Sequence, residues 1–306
     1  MEQANLTFII TFAMISMGFL IKHFGFITEA EGKVISKFLM HTTFPALMIV
    51  STATVDIKPQ LFLIPFLCIG LGSVMMFIAR KVFKREPDKL KGVLFMGAGG
   101  MNVGLFGFPL IEGIWGVKAL LYAVMFDLGN TFMTFGVVYP TGAYYAHKED
   151  GAKISKKKIL KKVFLLPPVT GAVIGLLINF FSIPVPDIGM EFLQILAKAN
   201  KPLVLLIMGI YLSVELDKSQ IARIAKLLTI RYVVGLMVVA ALYYFLPDSL
   251  MRSVLIILVI LPLGMTILIF SDEFKYDSRI AGTAVNLSLV VSFVLMWALV
   301  WLLKLA

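Results

Sequence analysis

Gly97-Ala98-Gly99-Gly100-Met101-Asn102-Val103-Gly104-Leu105-Phe106-Gly107-Phe108-Pro109 lies within the fourth long apolar stretch of the chain, residues 92–112. Five glycines and a proline at its end are too many for one continuous helix, because each glycine weakens a helix and a proline removes a backbone donor. In water such a run reads as a loop. In hydrocarbon, unpaired peptide groups cost several kcal/mol each, so irregular backbone persists only where protein or a polar cavity satisfies it. The run predicts a spanning helix broken near mid-membrane, and such a break marks a candidate ligand site.

Composition places the chain in a bilayer. Of its 306 residues 59% are hydrophobic and 15% charged, and the mean hydropathy is +0.94, beyond what a soluble core requires. One crossing takes about 20 mostly apolar residues. Ten stretches qualify: 5–22, 34–55, 59–79, 92–112, 117–146, 163–181, 188–213, 227–246, 249–271 and 280–303. None alternates polar and apolar residues as barrel strands do, so the expected class is an all-α integral membrane protein with ten transmembrane helices.

The net charge of +10 follows topology. With the N-terminus outside, the odd-numbered loops hold 21 of the 28 Lys and Arg residues, including Arg80, Lys81, Lys84, Arg85 and the run Lys156-Lys157-Lys158. The other side holds four, Lys58, Lys118, Arg252 and Lys304. The positive-inside rule then puts both termini outside a multi-pass protein of the cell membrane. The basic run reads as a topology signal in contact with anionic lipid, with no nucleic-acid partner. The opening Met1-Glu2-Gln3-Ala4-Asn5 lacks the basic region and cleavage site of a secretory signal, so the first span is expected to be retained. The longest polar segment, 147–162, is too short to build a core. Cys68 stands alone, forms neither an internal disulfide nor a thiolate cluster, and reads as packing.

Ten spans divide into two sets of five around that segment, and an odd number inverts the second set. The expected domains are a five-helix repeat over 1–146, a basic cytoplasmic linker over 147–162 and an inverted five-helix repeat over 163–306. Phe44-Pro45-Ala46-Leu47 leads to Asp56-Ile57-Lys58-Pro59-Gln60, and Lys201-Pro202-Leu203-Val204 leads to Asp217-Lys218-Ser219-Gln220. From Pro45 to Pro109 is 64 residues, and from Pro202 to Pro262 is 60. Interrupted segments at corresponding places in two halves point to a transporter's midplane site.

Chain direction supplies the physics of that site. The second halves of the fourth and ninth spans, beginning near Pro109 and Pro262, both place a helix N-terminus near mid-membrane, where proline suits the first turn. Each N-terminus carries about half a positive charge and free N–H groups, so two converging on one pocket favour an anion. Asn102 donates through its amide and Thr266 through its hydroxyl, while Gly104 and Gly107 allow close approach. Against this stands a plainer reading, in which the prolines only kink helices and the glycines only permit packing.

Ionisable groups deep in a bilayer are costly and usually functional. Asp127 and Asn130, three residues apart, share a helix face. They read either as a coupling site for H+ or Na+ or as a structural bond between helices. His41 is a further candidate for the coupling site, because histidine is the side chain suited to proton exchange at physiological pH, yet a lone histidine on an apolar helix is commonly just hydrogen-bonded. Lys198 and Lys201 reach water by snorkelling, and for Lys201 the alternative is to attract substrate. Arg231, near the cytoplasmic end of its span, is expected to snorkel as well, which leaves no arginine at the crossover. Asp272 and Glu273 leave the membrane with the ninth span. Asn286 and Ser288 face directions that the sequence does not reveal.

Asn102-Val103-Gly104-Leu105-Phe106-Gly107-Phe108-Pro109, followed by Tyr122-Ala123-Val124-Met125-Phe126-Asp127-Leu128-Gly129-Asn130-Thr131, resembles the auxin efflux carrier family of membrane transporters. That family includes bacterial permeases for malate and malonate and, more distantly, the plant PIN auxin exporters. The resemblance spans essentially the whole chain and takes in Phe44-Pro45-Ala46-Leu47, Leu261-Pro262 and Asp272-Glu273-Phe274. It implies two inverted five-helix repeats, broken fourth and ninth helices that cross at midplane, a mobile transport unit against a scaffold, and substrate at Asn102 and the crossover prolines. The long cytoplasmic loop of the plant exporters is missing here, so auxin itself is not implied.

Other classes fit less well. No Gly-x-Ser-Gly or Gly-x-Gly-Asp motif supports an intramembrane protease, and Gly32-Lys33 is followed by Val34, not by the Ser or Thr of a phosphate-binding loop. A channel or sensor using the same polar break stays open, as does a sodium-coupled symporter of bile-acid-transporter type. The expected function is a non-enzymatic secondary transporter that moves a small organic anion, a mono- or dicarboxylate, by alternating access. It needs no cofactor or metal, couples to H+ or Na+, meets the lipid bilayer and its substrate as partners, and is compatible with a homodimer.

Overall fold

A computed structural model describes residues 2–53, 59–146, 167–212 and 220–306. Every regular element among them is helical, and the only strand-like contact is one antiparallel bridge between Met101 and Leu263. Helix α1 (Glu2–His23) turns through Gly25 into α2 (Glu29–His41). A capping box starts α2, in which Thr28 Oγ1 accepts from the Glu31 N–H and the Glu31 carboxylate accepts from the Thr28 N–H. These bonds satisfy two otherwise orphaned donors, so this helix begins five residues ahead of the apolar stretch at 34. An offset at Thr42, with φ −125° and ψ −77°, joins α2 to α3 (Thr43–Ala53), and Pro45 sits in the first turn of α3, where its missing donor costs nothing.

Helix α4 (Ile64–Val82) precedes α5 (Asp88–Gly99) and α6 (Phe108–Trp115). Helix α7 (Leu120–Phe132) runs through the π-helical turn Met133–Val138 into α8 (Tyr139–Ala146). After the gap come α9 (Pro167–Phe180), α10 (Asp187–Tyr211), α11 (Ile221–Phe245), α12 (Leu250–Leu258), α13 (Thr266–Glu273) and α14 (Ser278–Leu302). Among the described residues seven helical spans are long and apolar enough to cross a membrane, α2 with α3 and α7 with α8 each forming one span. The stretches 92–112 and 249–271 are not among them because each is divided into two short helices. The stretch at 163–181 is described only from Pro167, as a short apolar helix, and the linker expected at 147–162 lies outside the described residues.

Contacts sort the helices into two groups. Helices α1, α2, α3, α9 and α10 pack on one another, and so do α4, α5, α7, α8 and α11 to α14. Helix α6 leans from the second group onto α1 and α10. Outward-facing Leu6, Phe12, Phe66, Phe77, Phe192 and Met237 are all exposed, as suits surfaces facing lipid chains.

Small residues set the closest crossings. A Cβ on Gly18 of α1 would lie 2.0 Å from the Leu206 carbonyl oxygen of α10, and one on Gly209 of α10 would lie 2.0 Å from that of Ile15. The two backbones touch, as helices do in a bilayer where water provides no drive to associate. Gly18→Ala is therefore expected to destabilise the purified protein by about 1–3 kcal/mol through overpacking, read as a lowered thermal midpoint in detergent. Gly70→Ala on α4, where nothing lies within 4 Å of the new methyl, leaves the midpoint unchanged or raises it. Equal midpoints for the two variants would contradict the backbone contact.

Candidate functional site

Helix α5 ends in extended chain: Gly100 has φ −93° and ψ 149°, and Asn102 has φ −89° and ψ 68°. Winding resumes in the π-helical turn Val103–Gly107, where the Gly107 N–H donates to the Asn102 carbonyl at 3.1 Å. The expectation that the second half begins near Pro109 is thus corrected. The break lies at 100–102, and Pro109 stands beyond it, at the start of α6 and directly after the π-helical turn. In the ninth stretch α12 ends at Leu258 and α13 begins at Thr266, so Pro262 stands within the break itself.

The two breaks meet and pair. The Asn102 N–H donates to the Pro262 carbonyl at 3.0 Å, and the Gly264 N–H to the Gly100 carbonyl at 3.3 Å, on either side of the bridge between Met101 and Leu263. Side chains from flanking helices complete each edge. Asn130 of α7 accepts the Met101 N–H through Oδ1 at 3.0 Å and donates from Nδ2 to the Met101 carbonyl at 3.1 Å and to Asp127 Oδ1 at 3.0 Å. Ser288 of α14 accepts the Leu263 N–H at 3.0 Å and donates to the Val285 carbonyl at 2.7 Å. On each side one polar side chain holds the amide of the central bridge residue.

Arg231 of α11 overturns the snorkelling expectation. It is 1% exposed. Its Nε donates to the Leu261 carbonyl at 3.1 Å, its Nη2 to Leu261 at 2.8 Å and Pro262 at 3.0 Å, and its Nη1 to Gly100 at 3.1 Å. Carbonyls released by both breaks point at one guanidinium, whose planar fork serves several acceptors at once. An arginine does stand at the crossover, contrary to the sequence reading, but it is bound to backbone.

Above the paired breaks lies a cavity of about 1630 Å³ that runs out to exposed Glu29, Lys33, Asp272 and Arg279. At that mouth Lys33 bridges the two helix groups, 3.9 Å from Glu29 and 3.8 Å from Asp272, although such solvated pairs contribute little. Asn102, Gly104 and Thr266 line the cavity. Gly107 packs on Leu261, Pro109 is buried in α6, and Pro262 gives its carbonyl to Asn102 and Arg231 behind the lining. Asn102 is 5% exposed, and its side-chain amide nitrogen has no hydrogen-bond partner among the described residues.

Asp127, Asn130 and His41 also line the cavity. Among the described residues no cation forms a salt bridge with Asp127, whose carboxylate accepts from Asn130. His41 Nδ1 lies 2.8 Å from the Lys37 carbonyl. Lys201 lies elsewhere, with its Nζ against Gly113 at the far end of α6, and Lys198, Glu191 and Gln194 are exposed. Asn286 and Thr283 of α14 face the cavity. Ser288 of α14 holds the Leu263 amide as Asn130 of α7 holds that of Met101. Among the described residues no three His, Cys, Asp or Glu side chains come together as a metal site.

The family described as membrane transport protein matches residues 6–302, a span that includes both breaks and every helix holding them. An uncharacterized transporter of Methanothermobacter thermautotrophicus is 24% identical over 287 residues, 92% of either chain. An uncharacterized transporter of Methanocaldococcus jannaschii is 22% identical over 306 residues, 96% of this chain and 97% of its own.

Because each polar side chain at the crossover satisfies buried backbone, its loss leaves groups unpaired at roughly 1–3 kcal/mol apiece. Ser288→Ala orphans one N–H, whereas Asn130→Ala orphans both polar groups of Met101 and a bond to Asp127. Thermal unfolding is expected to rank wild type above Ser288→Ala and Ser288→Ala above Asn130→Ala. An Asn130→Ala protein as stable as wild type would contradict the pairing.

Proposed function

The chain belongs to the membrane transport protein family, in keeping with its resemblance to the auxin efflux carriers, and we propose that it is a secondary carrier of a small organic anion, a mono- or dicarboxylate. One observation carries this reading. Two interrupted helices meet at the floor of a cavity, and there the buried Asn102 amide has a donor but no protein acceptor. A buried donor without a partner is costly, and a carboxylate would supply the acceptor. The second halves of both helices begin at the same place, each adding about half a positive charge.

Alternating access is supported by the asymmetry of the two ends. Away from the cavity mouth the helix groups are closed on each other: Thr7 Oγ1 donates to the Gly113 carbonyl at 2.8 Å, Trp297 Nε1 donates to Asn5 Oδ1 at 2.9 Å, and Phe8 stacks on Trp297 at 5.5 Å. In the proposed cycle these contacts open as the Lys33 end closes, with α1, α2, α3, α9 and α10 as one unit and the remaining helices as the other. The full architecture in this reading is ten spans in two inverted repeats, with both termini outside the cell membrane and the cavity open to the basic, cytoplasmic face. The matching roles of Asn130 and Ser288 at the two bridge residues support the repeat. Asp127, on the lining and tied to the crossover through Asn130, takes up the coupling ion, H+ or Na+.

Purified protein in proteoliposomes tests this. Internal malonate is expected to accelerate uptake of labelled malonate, saturably and without unitary currents; no trans-acceleration by any carboxylate of a mono- and dicarboxylate panel, or channel-like currents, would refute the carrier. In the same vesicles Asp127→Asn should lose its response to a pH gradient or to sodium. Dependence equal to wild type would remove Asp127 from coupling.

A further inference from the structure

Four helix ends meet at the crossover. Helices α5 and α12 terminate there, and the winding that leads into α6, together with α13, starts there. Each end carries roughly half a charge, negative at a C-terminus and positive at an N-terminus. By themselves two of each nearly cancel, and the cavity floor would attract neither sign. Arg231 breaks the balance. All four of its bonds go to the buried carbonyls of Gly100, the first residue past α5, and of Leu261 and Pro262 in the break that follows α12, and it does not line the cavity.

We propose that Arg231 sets the electrical sign of the cavity by neutralising the two C-termini behind it, so that the two N-termini in front act uncompensated and select an anion. It is a positioning residue, acting through backbone and never through contact with substrate. The unpartnered Asn102 amide, 5% exposed and on the same wall, is an independent sign of a ligand that accepts hydrogen bonds. The opposing charge on the lining is Asp127, held by Asn130. The mouth carries Glu29, Lys33, Lys37, Asp272 and Arg279, of mixed sign and in contact with water and salt, which screen them. A fixed cation in the dry layer behind the floor is screened far less. Its fork also explains why arginine is used, since it reaches three carbonyls from two chain segments.

The inference deepens the anion reading of the same cavity, and its test does not depend on transport. In a Cys68→Ala background, Thr266→Cys places one thiol on the lining. Its reaction rates with a sulfonate-bearing and a trimethylammonium-bearing methanethiosulfonate are measured, and their ratio cancels the reactivity of the thiol itself. Arg231→Gln is expected to lower the anionic-to-cationic ratio by about five-fold or more, and Arg231→Lys to keep it within about two-fold. An unchanged ratio in Arg231→Gln, or an equal fall in Arg231→Lys, overturns the proposal. If Arg231→Gln does not elute as folded protein, Arg231→Lys decides alone, a kept ratio supporting the proposal and a five-fold fall refuting it. A ratio governed by Arg231 in a protein that shows no carboxylate counterflow would sink the carrier reading and leave this one standing.

Discussion

Peptide groups released inside hydrocarbon have no water to turn to, and this constraint shapes everything at the centre of the molecule. A single broken helix would strand its amides and carbonyls. Here two breaks satisfy each other across the pair Met101 and Leu263, and the remainder fall to Asn130, Ser288 and Arg231. Polar side chains that would otherwise be expensive in a bilayer are kept because each one closes a backbone valence.

The same arrangement links structure to transport. A crossover pinned from three helices is a rigid floor, while the two helix groups meet through Asn5, Thr7 and Phe8 on Gly113 and Trp297 at one end and through the solvated pair Lys33–Asp272 at the other. In the proposed cycle, rigid bodies that meet at a fixed site favour rocking over deformation, so that the site would face each side in turn. Local unfolding of the crossover would instead expose several backbone groups at once, so the site is expected to survive the cycle intact.

Legibility followed the range of the forces involved. The break in the fourth stretch was visible because glycine and proline act locally. Its position was misplaced toward Pro109, because a proline that stands beyond a break and one that sits within it look alike in sequence. At Pro262 the same reading landed inside the break. Stretch 117–146 matched the described helix end for end, as an unbroken apolar run should. Arg231 was misread for a different reason: position along a span fixes depth, but not the direction a side chain takes, and its partners lie 30 and 131 residues away in sequence. Ser288 was silent for that reason too, since its meaning depends on a non-local contact with the ninth-stretch break.

The pairing of the breaks is the claim on which the cavity, its polarity and its function all rest. It is tested most directly by replacing Met101 and Leu263 together with cysteine in a Cys68→Ala protein in membranes, because facing residues of an antiparallel pair flanked by hydrogen bonds bring their Cα atoms to roughly 4.5 Å, within disulfide range. The account predicts a cross-link under mild oxidation for this pair and none for Met101 with Leu258. Two free thiols at 101 and 263 after oxidation, in protein that is otherwise folded, would contradict it.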